Sequence, residues 1–274
     1  MFPGARDGPL SQAAYALVGA PLDCSSTFYP GARFGPERIR HFSRGFEDFD
    51  HRTGQHFSEL GVIDLGDIRA WDDAPEYLAF LRGELRDVVN AGAVPIVLGG
   101  EHTVTVAGVE ATDPSVFVAL DAHLDMRESF DGNPYSHATV THHSLETVEE
   151  AIVLGARAGN EDEWERARRN QSVTAIDPGS VGGWIENQLT DAIADRSVYL
   201  SIDMDVIDPG FAPATGTKEP IGLTPQLARD AIRSIAPSAI GFDVVEVTDR
   251  DDGQTPTLAA KLLREAVYTH ANNQ

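Results

Sequence analysis

Three side chains of types that commonly bind metal ions stand two residues apart at the end of an apolar run. They are Asp121, His123 and Asp125, and residues at i, i+2 and i+4 of an extended strand point to the same face. Carboxylates at the end of a buried strand are costly unless they are paired or bind a cation. Asp203 and Asp205 follow a second apolar run in the same way. We therefore expect one metal site built from two strands.

The elements that must position these side chains are the strands of a parallel sheet. Short apolar runs alternate with longer segments of helical periodicity, which is the pattern of repeated βα units. Nearly continuous apolar character suits strands that are covered on both faces. The predicted strands are residues 15–19, 62–65, 94–98, 116–120, 152–154, 173–176, 198–202 and 239–242. Helices are predicted over residues 75–91, after Thr141 and after Pro256.

In such a sheet, ligands bind beyond the carboxyl ends of the strands, and the candidate groups fall there. The six candidate metal ligands are His102, Asp121, His123, Asp125, Asp203 and Asp205. A set rich in oxygen with a minority of imidazole suits Mn²⁺ or a similar ion better than a zinc–thiolate cage. Two ions about 3.5 to 4 Å apart would use all six ligands and hold a hydroxide between them. This arrangement predicts hydrolysis rather than redox chemistry or group transfer.

The composition favours one large domain over residues 1–274, because 42% hydrophobic residues can fill a single core. No apolar run has the length of a membrane span, and the first residues lack the pattern of a signal peptide. A single cysteine, Cys24, suits a reducing compartment. We therefore expect a cytoplasmic protein.

The net charge of −22 argues against nucleic acid or an anionic membrane as a partner and favours a small cation or a metal. Lysine is almost absent, with only Lys218 and Lys261 among 21 basic residues. We interpret this bias as adaptation to high salt, which screens the self-repulsion of an acidic surface. A melting temperature that does not rise from dilute buffer to molar salt would contradict this hypothesis.

Several other segments carry weaker signals. Residues 20–58 lack clear periodicity, and such a stretch is often a site wall or lid, although it could equally be a subunit contact. Asp208 precedes a proline and is interpreted as a structural turn residue. His142 and His143 are interpreted as part of a helix start or of core packing.

The site residues resemble those of the ureohydrolase family of arginases and agmatinases, and the likeness spans most of the chain. The three signature regions of the family match residues 99–103, 121–125 and 201–217. Further matching blocks are residues 30–36 and 243–247. Five such blocks in order are not expected by chance, and the form is most similar to an archaeal-type agmatinase.

This resemblance implies a three-layer α/β/α fold with a central, mostly parallel sheet of about eight strands. It also implies two Mn²⁺ ions per subunit, a metal-bridging hydroxide that attacks a guanidinium group, and release of urea and an amine. The implied ligands are His102 and Asp125 for one ion, His123 and Asp205 for the other, and Asp121 and Asp203 as bridges. Trimers or hexamers are common in the family.

Two further roles follow from the resemblance. Glu246 matches the glutamate that binds the guanidinium group, and a planar cation pairs bidentately with a carboxylate. His137 matches the histidine that shuttles protons to the leaving amine, for which an imidazole is suited near neutral pH. Glu101, Ala138 and Ala214 depart from common forms without removing a ligand. Ala214 resembles the arginase form of its loop, so that loop alone does not decide the substrate.

The substrate is predicted from two loops. Residues 155–160 lack the two aspartates that arginases carry in this segment, whereas residues 128–137 resemble agmatinases of archaeal type. Glu128 and Asp131 would suit a substrate that ends in an amine. We therefore expect agmatine as substrate and putrescine and urea as products, as in polyamine biosynthesis. The alternatives are aminopropylagmatine, arginine or another guanidino compound.

Two rival classes stay open from the sequence. Cys24 with a histidine could serve as nucleophile and base of an amidinotransferase. That interpretation leaves the six strand-end ligands unexplained. A non-catalytic binding protein of the same fold is the other rival, and the retention of every expected ligand argues against it.

Overall fold

The central element is an eight-stranded parallel sheet, accompanied by a short two-stranded hairpin. The computed structural model describes residues 1–274. The strands are β1 (Tyr15–Ala20), β2 (Phe49–Asp50), β3 (Gln55–His56), β4 (Val62–Asp67), β5 (Val94–Gly99), β6 (Val116–Leu120), β7 (Glu150–Leu154), β8 (Val173–Ile176), β9 (Val198–Asp203) and β10 (Ala239–Val245). The order across the sheet is β4-β1-β5-β10-β9-β6-β7-β8, and β2 pairs with β3.

Helices cover this sheet. They are α1 (Gly35–Phe42), α2 (Ala74–Asn90), α3 (Thr105–Thr112), α4 (Val140–Ser144), α5 (Glu161–Arg169), α6 (Val181–Trp184), α7 (Thr190–Ile193), α8 (Pro225–Ile235) and α9 (Gln254–Ala271), with a π-helical segment, Ile185–Leu189, between α6 and α7. None of them is both long and apolar enough to cross a membrane.

The strands bury side chains on both faces, which explains their continuous apolar character. Leu17 and Ile96 belong to a core that they share with α8 and α9, whereas the adjacent Val18 and Val97 belong to a second core with α2 and α3. Neighbouring residues of a strand point to opposite faces. The predicted three-layer α/β/α fold is therefore confirmed.

Helix α2 shows how local sequence sets an element. The Asp73 side chain accepts a hydrogen bond from the backbone N–H of Glu76 at 2.9 Å and caps the helix start. Leu81 and Leu85 lie four residues apart on the buried face. Each such side chain contributes roughly 1.5 to 3 kcal/mol when fully buried.

Every predicted strand is present, and the differences concern element ends and one helix. Helix α9 begins at Gln254 rather than after Pro256, because a proline fits within a first helical turn. Helix α4 begins at Val140 rather than after Thr141. The segment 20–58 is less irregular than predicted, since it contains α1, which buries Ile39 completely.

Gly100 joins three strands directly beyond the end of β5. Its N–H donates to the carbonyl of Ala20 at 2.8 Å, and its carbonyl accepts from the N–H of Glu246 at 2.8 Å. A Cβ atom at this position would lie 1.9 Å from the carbonyl oxygen of Leu22. Only glycine allows this close approach of backbones, which brings the ends of β1, β5 and β10 together.

Candidate metal centre and active site

All six predicted metal ligands lie at one edge of the sheet. They lie at or just beyond the carboxyl ends of β5, β6 and β9, and together with β10 these form the four neighbouring central strands. Parallel strands carry their carboxyl ends to the same edge, so residues distant in sequence meet there. The topology alone therefore explains why these side chains form one cluster.

The first half of the cluster surrounds His102. Its Nδ1 atom lies 2.9 Å from Oδ2 of Asp125, 3.1 Å from Oδ2 of Asp121 and 3.4 Å from Oδ2 of Asp203. All four side chains are buried. Asp125 has a left-handed backbone with φ of 48°, which is strained for a residue with a side chain.

The second half surrounds His123. Its Nδ1 atom lies 2.9 Å from Oδ2 of Asp205 and 3.6 Å from Oδ1 of Asp121. Asp121 thus offers one oxygen to each half, and it belongs to both groups of side chains that could hold a metal ion. This is the geometry expected of a bridging carboxylate. Asp203 lies beside the first half, with Oδ1 accepting from the N–H of Asp205, so its bridging role stays a prediction.

Electrostatics also favour a cation at the cluster. Burial, followed by the charge of Asp121, raises the pKa of Asp125 to about 7. Burial opposes the charged form of His123, but the charge of Asp205 outweighs it and raises that pKa to about 12. Only histidines form ion pairs with these four aspartates. The buried Oδ2 of Asp121 has no hydrogen-bond partner, as expected of an oxygen that binds a metal ion. The residues therefore fit a pair of divalent ions.

A hydrogen-bond chain behind His102 sets its tautomer. The Ser201 hydroxyl donates to Oδ1 of Asp243, so its oxygen accepts from Nε2–H of His102 at 3.1 Å. The Nδ1 lone pair is then free for a metal ion. The Thr105 hydroxyl donates to the other oxygen of Asp243 at 2.8 Å. No role was predicted for Asp243, although its position at a strand end was a signal.

His137 is held by a similar chain. The Ser25 hydroxyl donates to Oε1 of Glu101 at 2.7 Å, and its oxygen accepts from the backbone N–H of His137 at 3.0 Å. The same oxygen lies 3.1 Å from Nδ1 of His137, which therefore carries the proton and leaves Nε2 free. Burial, followed by the positive charges of His123 and His102, lowers the pKa of His137 to about 4. The imidazole is thus neutral near pH 7.

Glu246 lies next to the first half of the cluster. Its Oε1 atom accepts from the backbone N–H of His102 at 2.9 Å, and its backbone φ is 60°. Burial raises its pKa to about 8. A Cβ atom at Gly216 would lie 3.1 Å from Oε2 of Glu246, so this glycine keeps the carboxylate uncrowded.

A cavity of about 370 Å³ opens over the cluster. Its wall includes His123, Asp125 and His137, together with residues for which no individual role was predicted. Among the latter are Thr27, Arg127, Asn160, Glu163, Thr217 and Glu219. Thr27 and Ser25 show that part of the segment 20–58 forms a wall of the site.

Glu128 and Asp131 do not line this cavity. They lie in a neighbouring groove of about 580 Å³, which shares Arg127 and Phe130 with the cavity wall. The Glu128 side chain is 78% exposed, and its Oε1 lies 3.7 Å from Nη1 of Arg166. Only a substrate that extends beyond the cavity would reach these two acids, so their role in binding stays a prediction.

Asp208 and His143, which are interpreted from the sequence as structural, form turn and packing contacts. Asp208 accepts hydrogen bonds from the backbone N–H groups of Gly210 and Ile221, each within 2.9 Å. The His143 ring stacks on Tyr135 at 4.7 Å. None of these side chains lines the cavity above the cluster.

The parallel sheet with a carboxylate–histidine cluster at its carboxyl edge is the arrangement of an arginase-like hydrolase. The chain belongs to the arginase family, whose model matches residues 13–268. The predicted ureohydrolase membership is therefore confirmed.

Individual relatives agree with this assignment. The chain is 36% identical to the N(1)-aminopropylagmatine ureohydrolase of Thermococcus kodakarensis over 260 residues, which cover 92% of this chain and 89% of the relative. It is 33% identical to the agmatinase of Pyrococcus horikoshii over 262 residues, covering 93% and 91%. The crystal structure of an agmatine ureohydrolase from Thermoplasma volcanium superposes with a TM-score of 0.93 at 33% identity, covering 99% and 94% of the two chains.

Proposed function

We propose that the protein hydrolyses agmatine to putrescine and urea and uses two Mn²⁺ ions per subunit. The observation that carries this proposal is the position of Asp121 between two histidine-centred groups, with Glu246 held by the backbone of His102 and His137 in the wall of the cavity above. The names of the Pyrococcus and Thermoplasma relatives support agmatine as the substrate.

The six side chains of the cluster would hold the metal ions in the two groups described above. Carboxylate-rich ligands with two imidazoles suit Mn²⁺. When bound, the ions would supply Lewis acidity that lowers the pKa of water and polarises the guanidinium group.

The chain's own residues bind the substrate and move protons. Glu246 pairs with the guanidinium group, and the amide of His102 holds the Glu246 carboxylate in place. The free Nε2 of His137 exchanges a proton with the leaving amine, while Ser25 fixes the orientation of the ring. Both roles depend on side chains that are oriented before the substrate arrives.

Aminopropylagmatine is the second candidate substrate. The cavity and the neighbouring groove share wall residues, so a longer polyamine would extend from one into the other. Glu128 and Asp131 in that groove would then contact its additional amine. The name of the Thermococcus relative agrees with this alternative.

The proposed function is tested by urea release. Purified protein with Mn²⁺ is expected to release urea from agmatine and much less from arginine, and chelator treatment should abolish the reaction reversibly. Faster release from arginine would contradict the substrate. Release from no guanidino compound would favour a binding protein.

The amidinotransferase alternative has little support from the geometry. Burial, followed by the charge of Glu101, raises the pKa of the Cys24 thiol to about 12, which disfavours the thiolate nucleophile. Cys24→Ala is expected to keep its activity, and loss of activity with normal metal content would revive the alternative.

The assembly and environment of the protein are also proposals. The family resemblance supports a trimer or a hexamer, the single cysteine supports the cytoplasm, and the scarcity of lysine supports adaptation to high salt. Sedimentation velocity in low and high salt would measure the assembly.

A further inference from the structure

Three carboxylates line the cavity, and two of them already have partners within the protein. Asp125 belongs to the metal cluster. Glu163 accepts from Nε of Arg127 at 3.1 Å and from the backbone N–H of Asn160 at 2.9 Å. The third, Glu219, is not part of either arrangement.

The Glu219 carboxylate lacks a permanent cation as partner. Its only ion-pair contact is with Nε2 of His123 at 4.0 Å, too long for a hydrogen bond, and its side chain is 40% exposed. The ammonium of the adjacent Lys218 lies 5.0 Å from the centre of the Tyr29 ring instead. Glu219 is therefore available to a cationic ligand in the cavity.

The backbone of Glu219 is fixed relative to the metal cluster. One guanidinium nitrogen of Arg157, Nη2, donates both to the carbonyl of Glu219 at 2.7 Å and to the carbonyl of Asp205 at 2.8 Å. The Thr217 hydroxyl donates to Oδ2 of Asp205 at 3.3 Å. The backbone anchor limits the positions that the Glu219 carboxylate can reach relative to the metal cluster, which reduces the entropy that binding would cost.

We propose that Glu219 binds the terminal ammonium of the substrate and selects amine-ended guanidino compounds over carboxylate-ended ones. This inference rests on the proposed function. An amine-ended guanidino substrate carries two positive charges, of which Glu246 takes the guanidinium. The second charge needs an anionic partner in the partly closed cavity, and Glu219 is the carboxylate of the cavity wall that has no other strong partner. A substrate carboxylate at the same place would be repelled.

Glu219→Gln tests this inference, because it keeps the size of the side chain and removes its charge. The probes are agmatine and n-butylguanidine, which has the same guanidino group and chain length without the amine. The KM for agmatine should rise about 10- to 100-fold, because one charge-assisted hydrogen bond to the ammonium is lost. The kcat should change little. The KM of n-butylguanidine, or its inhibition constant against agmatine if turnover is slow, should stay unchanged.

Two controls make the experiment decisive. Glu84→Gln removes one charge from the exposed side of α2, so it should leave both compounds unaffected. Glu219→Lys should improve binding of 4-guanidinobutyrate, whose chain ends in a carboxylate. Metal content and melting temperature are measured for each variant.

Two outcomes would overturn the inference. Equal losses for agmatine and n-butylguanidine, together with lower metal content, would show that Glu219 positions His123 instead. No change for either compound would show that the ammonium binds elsewhere. Wild-type protein that releases no urea from agmatine would overturn the proposed function itself, which is distinct from either result.

Discussion

The protein buries carboxylates in two regions and neutralises them differently. Asp64, on β4, accepts from Nη2 of Arg40 at 2.8 Å and from Nε at 2.9 Å, which is a bidentate pair. Asp121, at the end of β6, is equally buried but contacts only the histidines of the metal cluster. One region carries its own permanent cation, whereas the other does not.

This difference distinguishes a buried carboxylate that supports the fold from buried carboxylates that bind a ligand. A buried carboxylate that the chain itself pairs with arginine contributes to folding, although replacing such a pair by apolar groups is often neutral. A group of buried carboxylates short of positive charge destabilises the fold until a cation binds. The metal cluster therefore depends on a ligand for its stability, and the Arg40–Asp64 pair does not.

The largest expected effect follows from removing the shared ligand. Asp121→Asn should lower urea release about 10³-fold or more and reduce the content of both ions, because several kcal/mol of charge stabilisation are lost. Metal analysis and urea assays on the same preparation measure both. Substantial activity with two ions bound would contradict the shared role of Asp121.

The next effect concerns stability in the other region. Asp64→Asn should lower the free energy of unfolding by about 1.5 to 3 kcal/mol, because Arg40 loses the buried one of its two carboxylate partners and keeps only the more exposed Asp67. Urea denaturation measures this change, in metal-free protein so that metal affinity does not contribute.

Asp203→Asn makes the same substitution as Asp64→Asn, but in the metal cluster. Burial, followed by the charges of Asp205 and Asp121, raises the pKa of Asp203 well above its ordinary value, so its charged form is unfavourable without a metal ion. Metal-free Asp203→Asn should be at least as stable as metal-free wild type. A loss as large as that of Asp64→Asn would remove the distinction between the two regions.

The pH dependence of stability sharpens the comparison. Burial alone would raise the pKa of Asp64, but the hydrogen bonds and charge of Arg40 outweigh it and hold the pKa below its ordinary value. Its contribution is therefore complete above the unfolded-state pKa of about 3.9 and is lost as the pH falls through the lower folded-state value. The stability difference between wild type and Asp64→Asn should be constant from about pH 5 to 8 and shrink below about pH 4. A difference that shrinks on the alkaline side would contradict this assignment.

The smallest expected effect concerns Ser25, which links His137 to the buried carboxylate of Glu101. The hydrogen bonds of this carboxylate come from neutral hydroxyl and amide groups, and two of these groups belong to Ser25. Ser25→Ala should lower kcat about 10-fold with little change in KM, since His137 loses the acceptor that sets its tautomer. Ser25→Thr keeps the hydroxyl and should restore most of the activity. A merely structural role would instead lower stability without this division between kcat and KM.

Local pattern predicted most of the fold. Each strand is an apolar run with clear ends, and the parallel arrangement follows from the intervening helices. Because parallel strands carry their ends to one edge, the ligand cluster could be inferred before any contact was known. Helix α1 was not predicted because it is short and begins with Gly35 and Pro36 within a stretch without periodicity.

The supporting contacts could not be predicted from local pattern. Ser25 and His137 are 112 residues apart, and Arg157 and Glu219 are 62 residues apart. Such pairs join loops whose paths depend on the whole fold. Glu128 and Asp131 illustrate the same limit, because their charge suits an amine while the folded loop places them in the neighbouring groove.

The backbone contact at Gly100 has a consequence for tracing descent within this family. The residue is required by the crossing of main chains and takes no part in the chemistry, so lineages that abandoned catalysis should retain it for as long as they retain the sheet. His102, two positions further along the chain, is instead required by the chemistry and not by the backbone contact. A genome survey that finds the glycine without the histidine would therefore reveal proteins that kept this architecture and gave up its reaction.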